Sequence, residues 1–514
     1  MSNLSKNSSY RNRNDISRGE TVLERIPAGS SPPWAMLFPS SYEVGMASLG
    51  FHSVIAELKK LGVGVERFFI GQFDSLSFET GRMIGNFPFI SASVAYEPDL
   101  IAILSTFKRW NIPHRWHDRL ESGGPVFGVG GALSYINPLI FSGIADWVVI
   151  GDAEPVLEYL VRECRNYTSH GDRRRFWEKL SENRSIYVPP IHREQILSGK
   201  NVPLKKSLLI DLDRAYGKSL WVTPGAAFGR TVLVELQRGC RRSCNYCTIP
   251  LSFGPARVRS LDRVIKDISA VSQVDDIQIG LVTPEAGDYP DLPGLLAYLE
   301  KTGQAVSFAS LRVDNMTEDM VKAVVRSRRY ALTVAPETGN ERLRIACGKT
   351  FGNSTIIDKL MMARLNGVKQ VKLYFMVGLP GEENSDIDSI PELCREIRGE
   401  TGLRIRASAG VFVPKPMSRW EMTSIIGAEE AYSKMKRLKN AFSGEALKGC
   451  TISFQDPRES LIEYALSWSG AESPDIQIEA SRRNILKKFG RDWPDKNMVR
   501  DQLELIGFGR ASCQ

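Results

Sequence analysis

Apolar and polar residues alternate between two kinds of segment along most of this chain. Short apolar runs, typical of buried strands, are followed by turn residues and then by stretches with the apolar spacing of an amphipathic helix. In the first third of the chain the strand predictions are 34–38, 87–92, 125–129 and 147–150, and a helix is predicted over 49–61. Strands that alternate with helices predict an α/β fold with a doubly wound (Rossmann-like) parallel sheet.

The loops after these strands are the first candidate for a functional site. Doubly wound sheets bind ligands beyond the carboxyl ends of their strands. Those ends carry residues 39–46, 91–97, 130–137 and 151–154. Two interpretations are open, because Gly and Ser in such loops are also common in plain turns.

A second alternating block follows, with strand predictions at 231–236, 276–282, 305–310, 330–334, 370–377 and 403–412. Six strands with helical crossovers predict a partial (β/α)6 barrel of the TIM type, smaller than the closed eight-fold form. The predicted organisation is a mobile tail (1–30), the Rossmann-like domain (31–165), a linker (166–228), the barrel (229–420) and a mainly helical C-terminal region (421–514).

Length and composition agree with a soluble protein of several domains. The chain has 514 residues, 42% hydrophobic and 25% charged, and that length exceeds one ordinary core. No apolar stretch is long enough for a membrane span, and the polar N-terminus lacks the apolar core of a signal peptide. We therefore expect a cytoplasmic protein. The net charge of +8 permits a nucleic-acid partner but does not indicate one.

Three of the eight cysteines lie together after the first barrel strand. Cys240, Cys244 and Cys247 have the spacing Cys-x3-Cys-x2-Cys. Thiolate loops of this kind bind iron–sulfur clusters. Three ligands leave one metal position open, and none of the five histidines is near in sequence. A zinc loop or three incidental thiols are the alternatives. The other five cysteines are scattered, so one cluster is expected.

This loop resembles that of the radical S-adenosylmethionine (SAM) superfamily. In that family the loop holds a [4Fe-4S] cluster, and an aromatic residue precedes the last cysteine, as Tyr246 does here. The resemblance implies that SAM chelates the open iron and is cleaved reductively to a 5′-deoxyadenosyl radical. It also implies a reductant such as flavodoxin or ferredoxin.

The resemblance continues at the ends of the later barrel strands, in segments 280–285, 310–314, 335–344, 372–382 and 411–416. It implies that SAM is bound by Tyr246, Thr283, Pro284, Glu285, Ser310, Arg312, Glu337, Arg344 and Gly378.

The first block resembles a particular subgroup, in which a domain of the cobalamin-binding type precedes the radical SAM core. The similarity covers residues 34–165 and 220–420. It implies that cobalamin contacts come from Glu43, Gly45, Met46, Ser93, Gly130, Gly131, Gly151 and Glu154. The Asp-x-His-x-x-Gly pattern that supplies a histidine ligand to cobalt is absent, and His52 does not fit it. The chain also departs from the subgroup at Ala226-Ala227 and Met417.

Three hypotheses remain open at the level of the sequence. The first is a radical SAM enzyme that uses cobalamin to methylate an unactivated carbon. The second is a radical SAM enzyme without cobalamin that catalyses a rearrangement or cyclisation. The third is a non-catalytic iron–sulfur regulator that binds nucleic acid, for which the chain offers no helix-turn-helix pattern or aromatic–basic stripe.

Overall fold

The computed structural model describes residues 19–27, 29–167, 172–309, 311–472, 483, 485–486 and 494–508. Most of the predicted N-terminal tail, the SAM-binding candidate Ser310 and the C-terminal Cys513 lie outside the described residues.

The strands are numbered in chain order. They are β1 Thr21–Val22, β2 Pro33–Phe38, β3 Gly64–Phe69, β4 Phe89–Ser93, β5 Val126–Gly130, β6 Trp147–Val149, β7 Ile186–Tyr187, β8 Trp221–Val222, β9 Thr231–Glu235, β10 Gln237–Arg238, β11 Arg257–Val258, β12 Gln278–Val282, β13 Ala305–Phe308, β14 Ala331–Glu337, β15 Gln370–Val377, β16 Arg404–Val411 and β17 Cys450–Phe454.

The α-helices are numbered in the same way. They are α1 Tyr42–Gly45, α2 Leu49–Lys60, α3 Asp99–Arg109, α4 Trp116–Ser122, α5 Glu154–Asn166, α6 Arg173–Ser181, α7 Pro189–Leu197, α8 Ile249–Ser252, α9 Leu261–Ser269, α10 Leu292–Lys301, α11 Glu318–Arg326, α12 Glu341–Ala346, α13 Asn353–Leu365, α14 Asn384–Thr401, α15 Ala428–Phe442, α16 Pro457–Ser467 and α17 Lys496–Leu505.

The first sheet has six strands in the order β3-β2-β4-β5-β6-β7, all parallel except the edge strand β7. Side chains alternate between its two faces, as strand geometry requires. Trp34 and Met36 pack against α2 and α5, whereas Ala35 and Leu37 pack on the side of α3 and the C-terminal helices α16 and α17. Both faces are therefore buried, which explains why these strands read as continuous apolar runs.

The second block forms two parallel sheets, β13-β12-β9 and β14-β15-β16-β17. A bridge between Leu311 and Val334 connects them. One face of these strands packs against α9 to α11 and α13 to α15 in a single hydrophobic core. The predicted fold class, a Rossmann-like sheet followed by a partial TIM-type barrel and helices, is confirmed.

The structure adds detail that the sequence patterns did not predict. The barrel has a seventh parallel strand, β17, from the region predicted to be mainly helical. The predicted linker 166–228 contains α6, β7 and α7, and β7 pairs with β6 of the first sheet. The N-terminal segment also pairs back, because β1 is hydrogen-bonded to β8. Within the described part of the chain, no helix has the length and apolarity needed to cross a membrane.

Candidate functional site

The cysteine loop lies at the carboxyl end of β9, where a second loop supports it. The Asn245 N–H donates to the Cys347 carbonyl at 3.0 Å. Gly348 has a φ of +85°, and a Cβ atom there would lie 3.0 Å from Cys244 Cα. Such a φ and such an approach favour glycine. The 347–348 turn therefore fixes the position of the loop.

Two arginines place N–H donors next to the thiols. The Arg242 N–H donates to Cys240 Sγ at 3.4 Å, and the Arg312 guanidinium lies 3.6 Å from Cys244 Sγ. The Arg242 guanidinium is held in turn by Asp288. Positive charge and N–H donors stabilise thiolates. Burial raises the pKa of the free Cys240 thiol, and the Arg242 N–H partly offsets this rise. Burial also raises the pKa of the free Cys247 thiol, to about 11, with a partial offset from the Ile249 N–H.

The three cysteines suit a cluster better than a single ion. All three are free and partly exposed. Among the described residues, no group of three or more His, Cys, Asp or Glu side chains converges closely enough to hold one metal ion. In a four-iron cluster each thiolate binds a different iron, so the sulfurs lie further apart than around one ion. The donor set therefore fits a [4Fe-4S] cluster with one open iron.

Tyr246 of this loop, which is half-buried, forms a polar triad with the buried side chains of Glu337 and Lys349. The Tyr246 hydroxyl donates to Glu337 Oε1 at 2.7 Å, and Lys349 Nζ lies 2.6 Å from the same oxygen. Glu337 has a φ of +69°, an uncommon conformation that surrounding contacts must impose. Burial, reinforced by the Glu337 charge, raises the pKa of Tyr246 above its ordinary value. Tyr246 is thus a neutral donor that orients Glu337.

The candidates after β12 and β13 form a second group. Glu285 is buried, and its carboxylate accepts the N–H groups of Gly287 and Arg312, each at 3.1 Å. Thr283 and Pro284 lie half-buried just before it, and the Thr283 hydroxyl donates to the Glu285 carbonyl. Because Arg312 also contacts Cys244, this group adjoins the cluster loop.

The last two SAM candidates have structural contacts. The fully buried Arg344 donates to the carbonyls of Thr338, Gly339 and Phe351. Gly378 has a φ of +81°, and its N–H donates to Glu382 at 2.9 Å. Arg344 therefore supports the loop that follows Glu337, and Gly378 shapes the turn after β15.

A cavity of about 350 Å³ lies between the two domains. It begins at the carboxyl ends of the first sheet and extends beneath α2 and α5. Its wall contains five of the predicted cobalamin residues, Ser93, Gly130, Gly131, Gly151 and Glu154. On the barrel side the wall includes Glu235, Arg238 and Val282.

The glycines of this wall are of two kinds, those required by close backbone packing and those that border open space. A Cβ at Gly131 would lie 2.5 Å from the Val94 carbonyl, and one at Gly151 would lie 2.2 Å from the Ser207 carbonyl. Both also have positive φ values, so backbone packing explains them. At Gly130 and Gly50 a Cβ would meet nothing within 4 Å. These two positions leave space in the cavity that a side chain would fill.

Buried charges connect the cavity to the cluster loop. Arg238, two residues before Cys240, forms ion pairs with Asp152 at 3.0 Å, Glu154 at 2.6 Å and Glu235 at 2.7 Å. Asp152 also pairs with Arg257 and accepts the Tyr135 hydroxyl, each at 2.5 Å. Satisfied buried networks of this kind are rigid. The cavity wall and the strand that leads into the cluster loop therefore behave as one unit.

The other predicted cobalamin residues lie away from the cavity wall. A Cβ at Gly45 would lie 2.6 Å from the Phe69 ring, so the backbone packs closely there. Met46 is buried, with its sulfur 3.2 Å from Arg67, and the Glu43 carbonyl accepts the Ala227 N–H. His52 is enclosed by protein contacts through both ring nitrogens.

Sequence reasoning assigned no role to Asp152, Arg238 or Lys349. Asp152 follows the cobalamin candidate Gly151 directly, and Arg238 lies two residues before Cys240. No local sequence pattern marks Lys349, because its partner Glu337 is twelve residues away in the chain.

Comparison with known families now bears on this site. The family described as "Radical SAM superfamily" matches residues 234–394, which include the three cysteines, and "Radical SAM proteins, N-terminal" matches residues 68–189. The chain belongs to the radical SAM superfamily. It is an enzyme whose cofactors are the [4Fe-4S] cluster and SAM, as the resemblance of the cysteine loop to this family implied.

Relatives in this superfamily extend the comparison. An uncharacterized protein of Methanocaldococcus jannaschii is 26% identical over 480 residues, which cover 90% of this chain and 97% of that protein. The tRNA-2-methylthio-N(6)-dimethylallyladenosine synthase of Salmonella enteritidis is 22% identical over 286 residues, 52% of this chain and 55% of that protein.

Two solved structures share the fold. The radical SAM methyltransferase TsrM from Kitasatospora setae, with cobalamin and a [4Fe-4S] cluster bound, aligns with a TM-score of 0.51 at 11% identity over 76% of this chain and 74% of its own. The cobalamin-dependent radical SAM enzyme OxsB aligns with a TM-score of 0.51 at 14% identity over 80% of this chain and 56% of its own. The order of a Rossmann-like domain and a radical SAM barrel is thus a known arrangement.

Proposed function

We propose that this radical SAM enzyme binds cobalamin between its two domains and methylates an unactivated carbon. The observation that carries the proposal is the cavity shared by the Rossmann-like sheet and the barrel, whose wall includes Arg238, two residues before the first cluster cysteine. TsrM and OxsB, which share the fold, are described as cobalamin-bound or cobalamin-dependent. When bound, the cluster and SAM supply a 5′-deoxyadenosyl radical, and cobalamin supplies a methyl group.

The chain's own residues have separable tasks in this proposal. Cys240, Cys244 and Cys247 hold the cluster, and Arg242 and Arg312 stabilise its thiolates through the contacts described above. Glu337, oriented by Tyr246 and Lys349, and Glu285 offer acceptors for the amino and hydroxyl groups of SAM.

For cobalamin, the open positions at Gly130 and Gly50 leave room, and Ser93 and Glu154 offer polar contacts. The apolar wall formed by Trp34, Met36 and Leu157 would exclude water from one side of the ligand.

The radical chemistry is tested with the reconstituted enzyme. With iron, sulfide, SAM and a strong reductant of the flavodoxin or ferredoxin kind, we expect formation of 5′-deoxyadenosine. Cys244→Ala should lose the cluster absorbance and this product. If the wild type contains a full cluster and yields no more 5′-deoxyadenosine than Cys244→Ala, the radical assignment fails.

Cobalamin binding is tested by optical titration of the full-length protein with hydroxocobalamin. We expect saturable binding by the wild type and a loss of at least about tenfold in Gly130→Leu, equivalent to about 1.4 kcal/mol, because the new side chain occupies the cavity. Gly399→Leu, on the exposed side of α14, is the matched control. Wild type that binds no hydroxocobalamin, or Gly130→Leu that binds as tightly as the control, would count against cobalamin and favour a cobalamin-independent radical reaction.

A further inference from the structure

The second barrel sheet has one packed face and one open face. On β15, Val371, Leu373 and Phe375 are buried against the helices, whereas Lys372 and Tyr374 alternate with them and are partly or fully exposed. The same alternation continues on β16 and β17. We call this the inner face, defined by Lys372, Tyr374, Arg404, Arg406 and Ser408. It is the side of the barrel strands that carries no helix.

Cations face each other on this inner face. In the parallel register Lys372 is directly opposite Arg406, and Arg404 is opposite Gln370. The same row continues with Thr333 on β14 and Thr451 on β17, so no acidic residue stands beside the pair. Like charges directly opposite on neighbouring strands destabilise a sheet. The arrangement therefore carries a cost that the fold alone does not explain.

Carboxylates of the described residues do not neutralise these cations. In the part of the chain that the structure describes, no carboxylate lies within ion-pair distance of Lys372, Arg404 or Arg406, whereas Arg242, Arg312 and Lys349 near the cluster loop each have such a partner. The described side-chain contact of Lys372 is with the Tyr374 ring, 4.6 Å from Nζ to the ring centroid. A free anion would find an ammonium, a guanidinium and an aromatic ring side by side.

The position of this patch relative to the cluster follows from strand geometry. Met376, on the same side of β15, packs in a hydrophobic cluster with Tyr246 of the cysteine loop. Lys372 is four residues earlier, which at about 3.3 Å per residue places it roughly 13 Å from that point. Tyr374, 38% exposed, lies between the two. A bound molecule would extend along β15 from the cations to the radical site.

We infer that the inner face binds the anionic end of the substrate, a carboxylate or phosphate group held by Lys372 and Arg406. The planar guanidinium of Arg406 suits two parallel hydrogen bonds to such a group, and the ammonium of Lys372 supplies a point charge. Tyr374 packs against the part of the substrate that leads to the cluster. The substrate class is thus an anionic molecule long enough to extend from Lys372 along β15 toward the cysteine loop, a span of roughly 13 Å as far as Met376. The link to the reacting carbon rests on the proposed function, whereas anion binding does not.

The test is calorimetric titration of the full-length, reconstituted protein at low ionic strength with two probes, inorganic pyrophosphate and succinate. We expect one saturable site for at least one probe. Lys372→Gln and Arg406→Gln should each weaken binding about tenfold or more. Lys439→Gln, which removes an equal charge from the exposed side of α15, should not. Pyrophosphate alone would identify a phosphate-bearing substrate, and succinate alone a carboxylate.

Several results would overturn this inference. The wild type could bind neither probe, or Lys372→Gln and Arg406→Gln could bind the probe as tightly as the wild type does. Lys439→Gln could also lose as much affinity as those two variants. The melting temperature of the ligand-free variants is a second reading. Because each variant relieves the repulsion between Lys372 and Arg406, its melting temperature should be equal to or higher than that of the wild type. A lower melting temperature would show that the two cations stabilise the fold and are not present to bind an anion. The titration measures anion binding, whereas the 5′-deoxyadenosine assay measures radical formation. The failure of this inference can therefore be distinguished from the failure of the proposed function.

Discussion

His52, in the Rossmann-like domain, is positioned in a way that argues against a role as a metal ligand. It is fully buried. Its Nδ1 accepts the Leu220 N–H at 3.0 Å, which leaves Nε2 protonated to donate to the Met46 carbonyl at 3.2 Å. Both nitrogens are therefore used by the backbone of two separate segments. Burial, followed by the charge of Arg67, lowers the pKa of His52 to about 3.

This pKa makes stability depend on pH in a defined direction. The unfolded chain takes up a proton at His52 near pH 6.5, whereas the folded protein does so only near pH 3. Between these values the unfolded state binds more protons, so the free energy of unfolding falls as the pH falls, by up to about 4 kcal/mol at pH 3. His52→Gln keeps a donor and an acceptor but cannot be protonated.

We expect urea unfolding of His52→Gln to depend less on pH than that of the wild type between pH 6.5 and pH 4. His117→Gln, at an exposed position, is the control. Parallel pH profiles for wild type and His52→Gln would contradict the assignment.

At this scale the sequence revealed some site residues and not others. The cysteines were predictable because their ligand geometry is encoded in local spacing. Lys349 and Asp152 were not, because their roles depend on partners 12 and 86 residues away, Glu337 and Arg238. Gly131 and Gly151 were noticed as ligand-contact candidates, but the close approach of Val94 and Ser207 already accounts for their lack of a side chain.

Among the elements, the turn after α12 matters most for the cluster. Gly348 allows this turn to lie against the cysteine loop, since a Cβ there would be 2.9 Å from the Ser243 carbonyl and 3.0 Å from Cys244 Cα. Neither neighbour is a flexible side-chain end. A substitution must therefore move the backbone that carries the middle cysteine.

We predict that Gly348→Ala lowers the iron content and the cluster absorbance of the reconstituted protein at least severalfold. The matched control is Gly381→Ala. Gly381 also has a positive φ, +74°, but a Cβ there would meet nothing within 4 Å. Both variants carry the similar backbone cost of about 1 kcal/mol expected for alanine in this conformation. Equal cluster content in the two variants would show that contact with the loop is unimportant.

The strands that were missed have physical explanations. β3 contains Arg67, and this charged residue interrupts the apolar run by which a buried strand is recognised in the sequence. Its guanidinium is neutralised by Glu20 at 2.9 Å and Glu79 at 2.6 Å, and those partners are 47 and 12 residues away. β17 is short, and its alternate residues Thr451 and Ser453 are polar because they face the inner side of the barrel. The strands that were predicted are apolar on both faces or on one complete face.

At the scale of the whole molecule, three regions meet at one lysine. Lys415, just after β16, pairs with Glu97 of the Rossmann-like domain at 2.8 Å and with Glu463 of α16 at 2.7 Å. The Ser467 hydroxyl donates to Glu97 at 2.7 Å, and Asn137 donates to the Ser467 carbonyl at 2.9 Å. The C-terminal helix α16 therefore joins both domains. Burial alone would lower the pKa of Lys415, but Glu97 and Glu463 raise it above its ordinary value.

Removing this lysine should affect the assembly as a whole. Glu97 is 1% exposed, and Lys415→Met would leave its charge buried with only the Ser467 hydroxyl as a described side-chain donor. Breaking one partner of a buried ion pair costs about 3–5 kcal/mol. We expect urea unfolding to show a loss of this size. Hydrogen exchange should become faster in α16 and in the loop that carries Glu97.

Lys179→Met, which breaks an exposed pair with Glu182, should cost no more than about 1 kcal/mol. The double variant Lys415→Met with Glu97→Gln should recover part of the loss, because the uncompensated charge is gone. If Lys415→Met is no less stable than Lys179→Met, and α16 exchanges as in the wild type, then the apolar packing of α16 against the first sheet holds the domains together without this ion pair.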